Sequence, residues 1–293
     1  MTTSTPETGL TERTVIVKGE PIFYAEAGRG PAVVMLHGGG PGASGVSNYS
    51  RNIEALAQNF RVIVPDMPGY GRSTKKPEHT DTYRYIADMI RGLLDQLGIQ
   101  TAHLVGNSLG GAAALMLALD TPHRVGRLVL MGPAGIGTTR GLPTAGMNSL
   151  LSYYTGGGGP SREKLATFIR TYLVYDGGSV SDELIDLRYQ ASINPEVVAN
   201  PILKRPSKLQ AIWRMDLTRD RRLKHLENPT LVLWGKDDKV NKPAGGPMLL
   251  TTLPNAELVM TSQTGHWMQW ERADLFNQLV RDFLLPIQTW ARG

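Results

Sequence analysis

The strongest chemical signal in the chain is a serine flanked by glycines, in the sequence Gly-Asn-Ser-Leu-Gly at residues 106–110. An apolar run at residues 102–105 precedes it and predicts a short buried strand. An alanine- and leucine-rich run at residues 112–119 follows it and predicts a buried helix. A Gly-x-Ser-x-Gly turn between a strand and a helix is so tight that it thrusts the serine hydroxyl above the sheet. The context therefore predicts that Ser108 is a catalytic nucleophile.

A serine nucleophile needs a base that takes its proton and an acid that orients the base. Around such a turn the three residues follow the order serine, acid, histidine, each in a loop after a strand. His266 follows the strand predicted at residues 257–260, and Asp237 and Asp238 both follow the strand predicted at 230–234. The other five of the six histidines lie outside such an arrangement. We predict His266 as the base, and the pattern alone leaves both aspartates open as the acid.

A glycine-rich loop, His-Gly-Gly-Gly-Pro-Gly at residues 37–42, follows the apolar strand predicted at 31–36. Glycines let backbone N–H groups turn toward a ligand with little obstruction. An oxyanion hole takes one N–H from the residue after the nucleophile and one from such a loop. We therefore predict an oxyanion hole formed by the N–H groups of Leu109 and Gly39. A phosphate-binding loop is the alternative, but the segment lacks the Gly-Lys-Ser/Thr ending.

The composition excludes several classes of site and partner. The 293 residues contain no cysteine, so disulfides, thiolate zinc sites and a cysteine nucleophile are excluded. The net charge is +5, but the densest basic run, at residues 219–222, is interrupted by an aspartate and lacks interleaved aromatic residues. We therefore expect no nucleic-acid partner. The N-terminus has no apolar signal segment and no apolar stretch is as long as a membrane span, so we expect a cytoplasmic protein with no membrane partner.

Strands that alternate with helices predict a mostly parallel sheet covered on both faces. The predicted strands lie at residues 11–17, 21–27, 31–36, 61–65, 102–105, 127–131, 230–234 and 257–260. The predicted helices of the core lie at 48–60, 81–97, 112–119 and 271–285. Because the alternation stops after residue 132, we predict a core of residues 1–133 and 215–293 and an inserted helical cap at 134–214. The cap helices are predicted at 144–154, 162–175, 181–193 and 206–215.

With these loops assembled, the chain resembles the α/β-hydrolase superfamily over nearly its whole length. Within it, the chain resembles the meta-cleavage product hydrolases, which hydrolyse carbon–carbon bonds in bacterial aromatic-ring catabolism. The resemblance rests on the glycine loop followed by Ser-Asn-Tyr at 47–49, the serine motif extended by Gly111, Arg188 in the cap, and Gly-His-Trp at 265–267. It implies an α/β-hydrolase fold with an eight-stranded sheet, and it favours Asp238 over Asp237 as the acid.

The resemblance also implies a reaction. The substrate would be a small anionic dienoate, a ring-fission product of the 2-hydroxy-6-oxohexa-2,4-dienoate type. Ketonisation of its dienol would let the leaving fragment depart as an enolate, with His266 assisting proton movement. Ser108 would attack the 6-oxo carbon, and water would release a carboxylic acid beside 2-hydroxypenta-2,4-dienoate; attack by an activated water stays open. We expect no metal and no cofactor, since nucleophile, base and oxyanion hole all come from the chain.

The resemblance assigns the anionic end of the substrate to a group of polar residues. Arg188 is expected to hold the carboxylate, because a guanidinium matches a carboxylate with two parallel hydrogen bonds. Asn107, Asn48 and the indole N–H of Trp267 are expected to add neutral hydrogen bonds, and Gly38 to line the same site. A surface position for Arg188 and packing roles for Asn48 and Trp267 stay open as the simpler interpretations.

Two other functions compete with this hypothesis. An ester hydrolase or a proline-iminopeptidase-like hydrolase has a similar glycine loop, although the third glycine and Asn107 favour the carbon–carbon hydrolases. A ligand receptor that keeps the triad for slow turnover is the non-enzymatic alternative. Haloalkane dehalogenase chemistry is disfavoured because the residue at the turn is serine rather than aspartate. The sequence does not identify the substituent on the 6-oxo carbon, and the resemblance implies a homodimer or a higher homo-oligomer.

Overall fold

Eight strands form one sheet at the centre of the protein, and the computed structural model describes residues 9–75, 81–205 and 209–285. The strands are Thr11–Val17 (β1), Glu20–Ala27 (β2), Ala32–Leu36 (β3), Arg61–Pro65 (β4), Ala102–Asn107 (β5), Val125–Met131 (β6), Thr230–Gly235 (β7) and Ala256–Thr261 (β8). Their order across the sheet is β1-β2-β4-β3-β5-β6-β7-β8. β2 pairs antiparallel with β1 and β4, and every other neighbouring pair is parallel. The predicted mostly parallel sheet of eight strands is confirmed.

Helices cover the sheet and also fill the segment between β6 and β7. The helices before that segment are Gly45–Tyr49 (α1), Ile53–Ala57 (α2), Thr82–Gln96 (α3) and Leu109–Asp120 (α4). The segment contains Ala145–Ser152 (α5), Arg162–Thr167 (α6), Asp182–Ser192 (α7), Pro195–Ala199 (α8) and Leu209–Arg214 (α9), with a π-helix at Phe168–Leu173. The last helices are Gly245–Thr252 (α10), Met268–Glu271 (α11) and Ala273–Leu284 (α12). None of the helices in the described ranges is both long and apolar enough to cross a bilayer.

The two faces of the sheet bury two separate hydrophobic cores. On one face the sheet packs against α3, α4 and α10, and on the other against α1, α2, α11 and α12. Helix α4 is buried on nearly all sides, which explains why its sequence is apolar from Leu109 to Leu119 rather than amphipathic. The central strands are apolar on both faces for the same reason, since parallel sheets are covered on both sides. Packing on both faces therefore holds the strands in place. The loops with polar residues begin at the ends of these strands.

Several predicted helices differ from those in the structure. The helix predicted at residues 48–60 is wrong: α1 begins earlier, at a capping box formed by Ser44 and Ser47, and α2 is a separate short helix. The break lies at Asn52, which has a φ of −126° and whose buried amide donates to Gln269 O and to Asn277 Oδ1. The closing helix predicted at 271–285 corresponds to α12, and Glu271 itself is the last residue of the separate short helix α11. Helices α8 and α10 were not predicted, because their apolar residues are too few to show a period.

The segment between β6 and β7 contains no strand within the residues that the structure describes. The helix predicted at 162–175 divides into α6 and the π-helix. Of the helix predicted at 206–215, residues 206–208 lie outside the described residues, and α9 covers part of the rest. A third hydrophobic core forms among α5, α6, the π-helix and α7, and it includes Val240 and Trp267 from the loops after β7 and β8. The segment therefore packs directly over the ends of these strands.

Candidate active site

Ser108 lies in the tight turn that joins β5 to α4. Its backbone has a φ of 52° and a ψ of −113°, in a region that residues with a side chain rarely adopt. The neighbouring chain is so close that a Cβ on Gly106 would approach Gly110 O to 2.5 Å, and one on Gly110 would approach His37 O to 2.6 Å. Only glycine fits at these two positions. The spacing of the motif is thus a steric requirement of the turn.

His266 and Asp238 form a buried pair in the loops after β8 and β7. The Nδ1 atom of His266 lies 2.7 Å from Asp238 Oδ2, and both side chains are at most 2% exposed. The other carboxylate oxygen of Asp238 accepts hydrogen bonds from the backbone N–H groups of Val240 and Asn241, at 2.8 and 2.9 Å. Asp237 points away and accepts a long bond from Thr264 N, at 3.4 Å. The structure therefore brings Asp238, and not Asp237, to the histidine.

Ser108 and His266 line the same cavity. The Nε2 atom of His266 is buried and has no hydrogen-bond partner among the described residues, so Ser108 Oγ does not bond to it in this state. Because Nδ1 faces the carboxylate, Nε2 is the ring nitrogen that faces the cavity. The cavity is lined by Gly38, Gly39, Gly40, Asn48, Asn107, Ser108, Leu150, Phe168, Leu173, Arg188, Val240, His266 and Trp267. Every predicted site residue except Asp238 and Leu109 is among them.

The glycine loop after β3 is held in place by His37 and Tyr70. The buried His37 ring donates from Nδ1 to Gly38 O at 2.8 Å and accepts at Nε2 from Met67 N at 3.0 Å. Burial lowers the pKa of His37, which suits a ring whose Nε2 must stay unprotonated. The Tyr70 hydroxyl donates to Gly39 O at 2.9 Å. Within the described chain, the N–H groups of Gly39 and Leu109 have no acceptor, so both are free to donate to a ligand.

Arg188 in α7 is a buried cation that faces the same cavity. It is 2% exposed, and its Nε and Nη2 atoms donate to Pro41 O at 3.2 and 3.0 Å. No carboxylate of the described residues forms an ion pair with it. Burial lowers the pKa of Arg188 to about 10, so the guanidinium keeps its charge at neutral pH. A buried charge without a counter-ion is costly, and an anionic ligand would supply the missing partner.

Asn48 and Trp267 are joined to each other beside Arg188. The indole N–H of Trp267 donates to Asn48 Oδ1 at 2.9 Å, so this N–H already has an acceptor inside the protein. The Asn48 amide nitrogen is buried and has no partner among the described residues. The Trp267 ring stacks on Trp270 at 4.8 Å and lies 5.4 Å from the Arg188 guanidinium carbon. The donor that this pair offers to a ligand is therefore the amide of Asn48.

Asn107 and Gly38 lie next to Ser108. The Asn107 amide nitrogen donates to His266 O at 3.2 Å and to Met131 O at 3.4 Å. These bonds connect the turn before Ser108 to the loop that contains His266. Its oxygen lies so close to Gly38 that a Cβ there would approach it to 2.7 Å. The amide hydrogens of Asn107 are thus engaged with the backbone, and its oxygen remains as an acceptor.

The sequence did not indicate the part that Glu271 plays. Its carboxylate accepts from Gly265 N at 2.9 Å and from Tyr175 N at 2.6 Å, so it joins the loop before His266 to the segment after the π-helix. Burial raises the pKa of Glu271. In the sequence, Glu271 is the first residue of the helix predicted at 271–285, and its position five residues after His266 is the available signal of its role. Among the described residues, no group of three or more histidine, aspartate or glutamate side chains could hold a metal ion.

The comparisons with known proteins agree with this geometry. The family described as the alpha/beta hydrolase fold matches residues 31–273. A 2-hydroxy-6-oxo-6-phenylhexa-2,4-dienoate hydrolase of Comamonas testosteroni is 41% identical over 90% of this chain and 91% of its own. A 2-hydroxy-6-oxononadienedioate/2-hydroxy-6-oxononatrienedioate hydrolase of the same organism is 40% identical over the same shares. A solved meta-cleavage product hydrolase from Pseudomonas fluorescens is 34% identical, covers 92% of this chain and 96% of its own, and superimposes with a TM-score of 0.82. The chain therefore belongs to the α/β-hydrolase family and, within it, to the meta-cleavage product hydrolases.

Proposed function

We propose that the protein hydrolyses the carbon–carbon bond between C5 and C6 of 2-hydroxy-6-oxohexa-2,4-dienoate-type ring-fission products. The observation that carries the proposal is the buried, unpaired guanidinium of Arg188 in the same cavity as Ser108 and His266. A neutral ester has no carboxylate that would pair with this cation. A substrate with a carboxylate at one end and an electrophilic carbonyl several bonds away needs a cation and a nucleophile in one cavity.

Substrate binding follows from the donors that line the cavity. Arg188 pairs with the substrate carboxylate through the N–H groups that Pro41 leaves free. The Asn48 amide donates to the same end of the substrate, and Trp267 acts through Asn48 by fixing which way its amide points. We assign Trp267 this positioning role in place of a direct contact, because its N–H is already used. Asn107 holds the backbone of His266, and Gly38 makes room for the Asn107 oxygen.

The first chemical step is ketonisation. The 2-hydroxyl of the dienol loses its proton, and a proton is delivered to C5, which converts the dienol to a 2-oxo compound with a CH₂ group at C5. His266 Nε2 faces the cavity and can carry this proton. The step is needed because C5 can then leave as an enolate that is conjugated with the 2-oxo group. A simple carbanion would be far less stable.

The second step is hydrolysis at C6. His266 takes the Ser108 proton, Asp238 stabilises the resulting imidazolium, and Ser108 Oγ forms a bond to C6. The oxygen on C6 becomes an oxyanion that the Gly39 and Leu109 N–H groups bind, and each donor contributes about 2.7–4 kcal/mol in the transition state. The C5–C6 bond then breaks, and protonation of the departing fragment gives 2-hydroxypenta-2,4-dienoate. Water releases the acyl group as a carboxylic acid and restores Ser108.

A colour change tests the proposal. The dienolate is conjugated and coloured, and its consumption bleaches the solution, so the purified protein should bleach 2-hydroxy-6-oxo-6-phenylhexa-2,4-dienoate without added metal or cofactor. Ser108→Ala should fold normally and lose nearly all product formation, because the triad acts as a unit. If a panel of dienoates stays coloured while aryl esters or peptides turn over rapidly, the esterase or peptidase hypothesis replaces this one. Ligand-dependent binding of a partner without turnover would favour the receptor hypothesis.

We also propose that residues 134–214 act as a cap on a core formed by 1–133 and 215–293. This division is supported by the absence of strands among the described residues of 134–214 and by the third core, which packs against Val240 and Trp267. The homo-oligomeric state and the cytoplasmic location stay predictions.

A further inference from the structure

The loop that carries His266 is bonded directly to the cap. The backbone N–H of His266 donates to Leu173 O, at the end of the π-helix, at 2.8 Å. The two segments are in close contact, because a Cβ on Gly265 would approach both Tyr175 N and the carbonyl carbon of Val174 to 2.8 Å. Only a glycine allows so close an approach. The backbone of His266 is therefore positioned partly by the cap and not by the sheet alone.

Glu271 adds a side-chain link across the same contact. Its Oε1 atom accepts from Gly265 N at 2.9 Å, and its Oε2 atom accepts from Tyr175 N at 2.6 Å. One carboxylate oxygen thus bonds to the residue before His266, and the other bonds to a residue of the cap. Because Glu271 is the last residue of α11, which packs against the sheet, this link is anchored in the core.

The loop that carries Asp238 is attached to the cap in a similar way. Lys239 Nζ donates to Thr171 O in the π-helix at 3.1 Å. The Thr144 hydroxyl, at the start of α5, donates to Val240 O at 2.7 Å. The proposed acid and the proposed base therefore both lie in loops that are bonded to the cap, and the π-helix takes part in both attachments.

The π-helix also faces the cavity. Phe168 and Leu173, its first and last residues, line the cavity together with Ser108 and His266. Helices of this type are rare and occur frequently at functional sites. Leu173 has two roles here, because it lines the cavity and its carbonyl oxygen accepts from His266 N. Any movement of the end of the π-helix would therefore displace the histidine loop.

The histidine loop depends on such bonds for its position. Gln263 in this loop has a φ of 51°, a left-handed conformation that is unfavourable for a residue with a side chain. Of the two ring nitrogens of His266, Nδ1 bonds to Asp238 and Nε2 has no partner among the described residues. Ser108 therefore does not hold the ring from the cavity side. A misplacement of about 1 Å between reacting groups can reduce a rate by about 100-fold.

We propose that Glu271 is a positioning residue for His266, which it holds by joining the histidine loop to the cap segment after the π-helix. The cap then contributes to turnover of every substrate, because it helps to hold the base. The inference rests on the proposed role of His266 as the base and on the proposed cap. It does not depend on the contact between Arg188 and a substrate carboxylate.

The test replaces Glu271 with glutamine. Glu271→Gln keeps the size of the side chain but replaces one acceptor oxygen with an NH₂ group, which cannot accept from a backbone N–H. At a temperature at which the variant is folded, kcat on both a 6-phenyl dienoate and an aryl acetate should fall about 10- to 100-fold, with KM within about twofold of the wild-type value. Glu257→Gln makes the same change at an exposed glutamate of β8 and should leave kcat unchanged. A folded Glu271→Gln protein whose kcat falls less than about tenfold on either substrate would overturn the inference.

A spectroscopic measurement separates positioning from stability. The proton in the hydrogen bond between His266 Nδ1 and Asp238 should give a far-downfield ¹H NMR resonance that reports on the geometry of this pair. In Glu271→Gln the resonance should shift or broaden, while circular dichroism should match the wild type. A lower melting temperature with an unchanged resonance would mean that Glu271 stabilises the fold without positioning the base.

Gly265→Ala tests the same contact from the other side. Its Cβ forces Tyr175 away from the histidine loop, so kcat should again fall on both substrates. Because both changes disrupt one contact, the double variant with Glu271→Gln should lose less than the product of the two single losses. Losses that multiply would show that Glu271 does not act through this contact.

The two substrates also separate this inference from the proposed function. A wild-type protein that hydrolyses the aryl acetate and cleaves no dienoate would overturn the proposed function, and the Glu271 test would still proceed on the ester, which needs the same base.

Discussion

Replacement of Arg188 should weaken catalysis on dienoates while sparing neutral esters. Two of the five N–H groups of its guanidinium donate to Pro41 O, and the other three have no acceptor among the described residues. A substrate carboxylate can therefore take two parallel bonds. Arg188→Lys keeps the positive charge but loses the planar pair of N–H donors. The change removes about one charge-assisted hydrogen bond, worth about 1.5–3 kcal/mol. The expected loss in kcat/KM for a dienoate is about 10- to 100-fold.

Arg188→Met should have a larger effect on catalysis and a small effect on folding. It removes the charge and both bonds to the substrate carboxylate, and loss of one partner of a buried charged pair costs about 2–5 kcal/mol, so kcat/KM should fall about 30- to 5,000-fold. In the free protein the guanidinium is buried without a counter-ion, so its removal should leave the melting temperature unchanged or higher. Thermal unfolding followed by circular dichroism measures this.

The assay that separates binding from structure uses two substrates. Bleaching of a 6-phenyl dienoate reports on the carboxylate contact, and hydrolysis of a neutral aryl acetate reports on the triad and the oxyanion hole. Because Arg188 also holds Pro41, a merely structural role would reduce both rates by the same factor. Equal losses on the two substrates, or no loss on either, would refute the assignment of Arg188 to the substrate carboxylate.

Three further changes test other parts of the site. Asp238→Asn should reduce kcat on every substrate by at least about 1,000-fold, whereas Asp237→Asn should change it less than tenfold, since Asp238 alone contacts His266; the reverse order would contradict the acid assignment. Trp267→Phe keeps an aromatic ring but removes the indole N–H that donates to Asn48 Oδ1, so the Asn48 amide is free to rotate. The kcat/KM for a dienoate should then fall about fivefold, while ester hydrolysis should be unchanged. Steady-state rates on both substrates measure this. Glu271→Gln turns an amide group toward one of two backbone N–H groups and should lower the free energy of unfolding by about 1–2 kcal/mol at neutral pH. Burial raises the pKa of Glu271, so the native wild type binds a proton at this carboxyl more tightly than the unfolded chain does. The free energy of unfolding of the wild type should therefore fall relative to that of the variant as pH rises above 4.5. Chemical denaturation at several pH values measures this, and a constant difference between the two proteins would mean that Glu271 is not buried in solution.

The order of the proposed catalytic residues was predictable because the chemistry constrains it. A nucleophile elbow requires glycines at fixed positions, and parallel strands bring their carboxyl ends to one edge of the sheet, so Ser108 and His266 had to meet. The choice between Asp237 and Asp238 was not predictable from the residues alone. Both lie in one loop, and only the path of the backbone decides that Asp238 is buried against His266 while Asp237 turns toward Thr264.

The parts that the sequence did not reveal depend on contacts between distant segments. Nothing in the pattern of α7 distinguishes a buried arginine from a surface one, because its burial arises from packing against Pro41 and Trp267. The sequence predicts that the indole N–H of Trp267 faces the substrate, whereas in the structure it donates to Asn48 Oδ1. Glu271 joins two backbone segments through bonds that no side-chain pattern encodes. The first and last residues of the short helices were not predicted, because they too depend on contacts between distant segments.

The measurement that tests the central claim most directly is product analysis in water enriched with ¹⁸O. Bleaching alone could arise from ketonisation, because that step also breaks the conjugation. If the C5–C6 bond is hydrolysed, each mole of 6-phenyl dienoate consumed should yield one mole of 2-hydroxypenta-2,4-dienoate and one mole of benzoate that carries ¹⁸O, and Ser108→Ala should form neither at a comparable rate. Bleaching by the wild-type protein without benzoate, or benzoate formed equally fast by Ser108→Ala, would contradict the account.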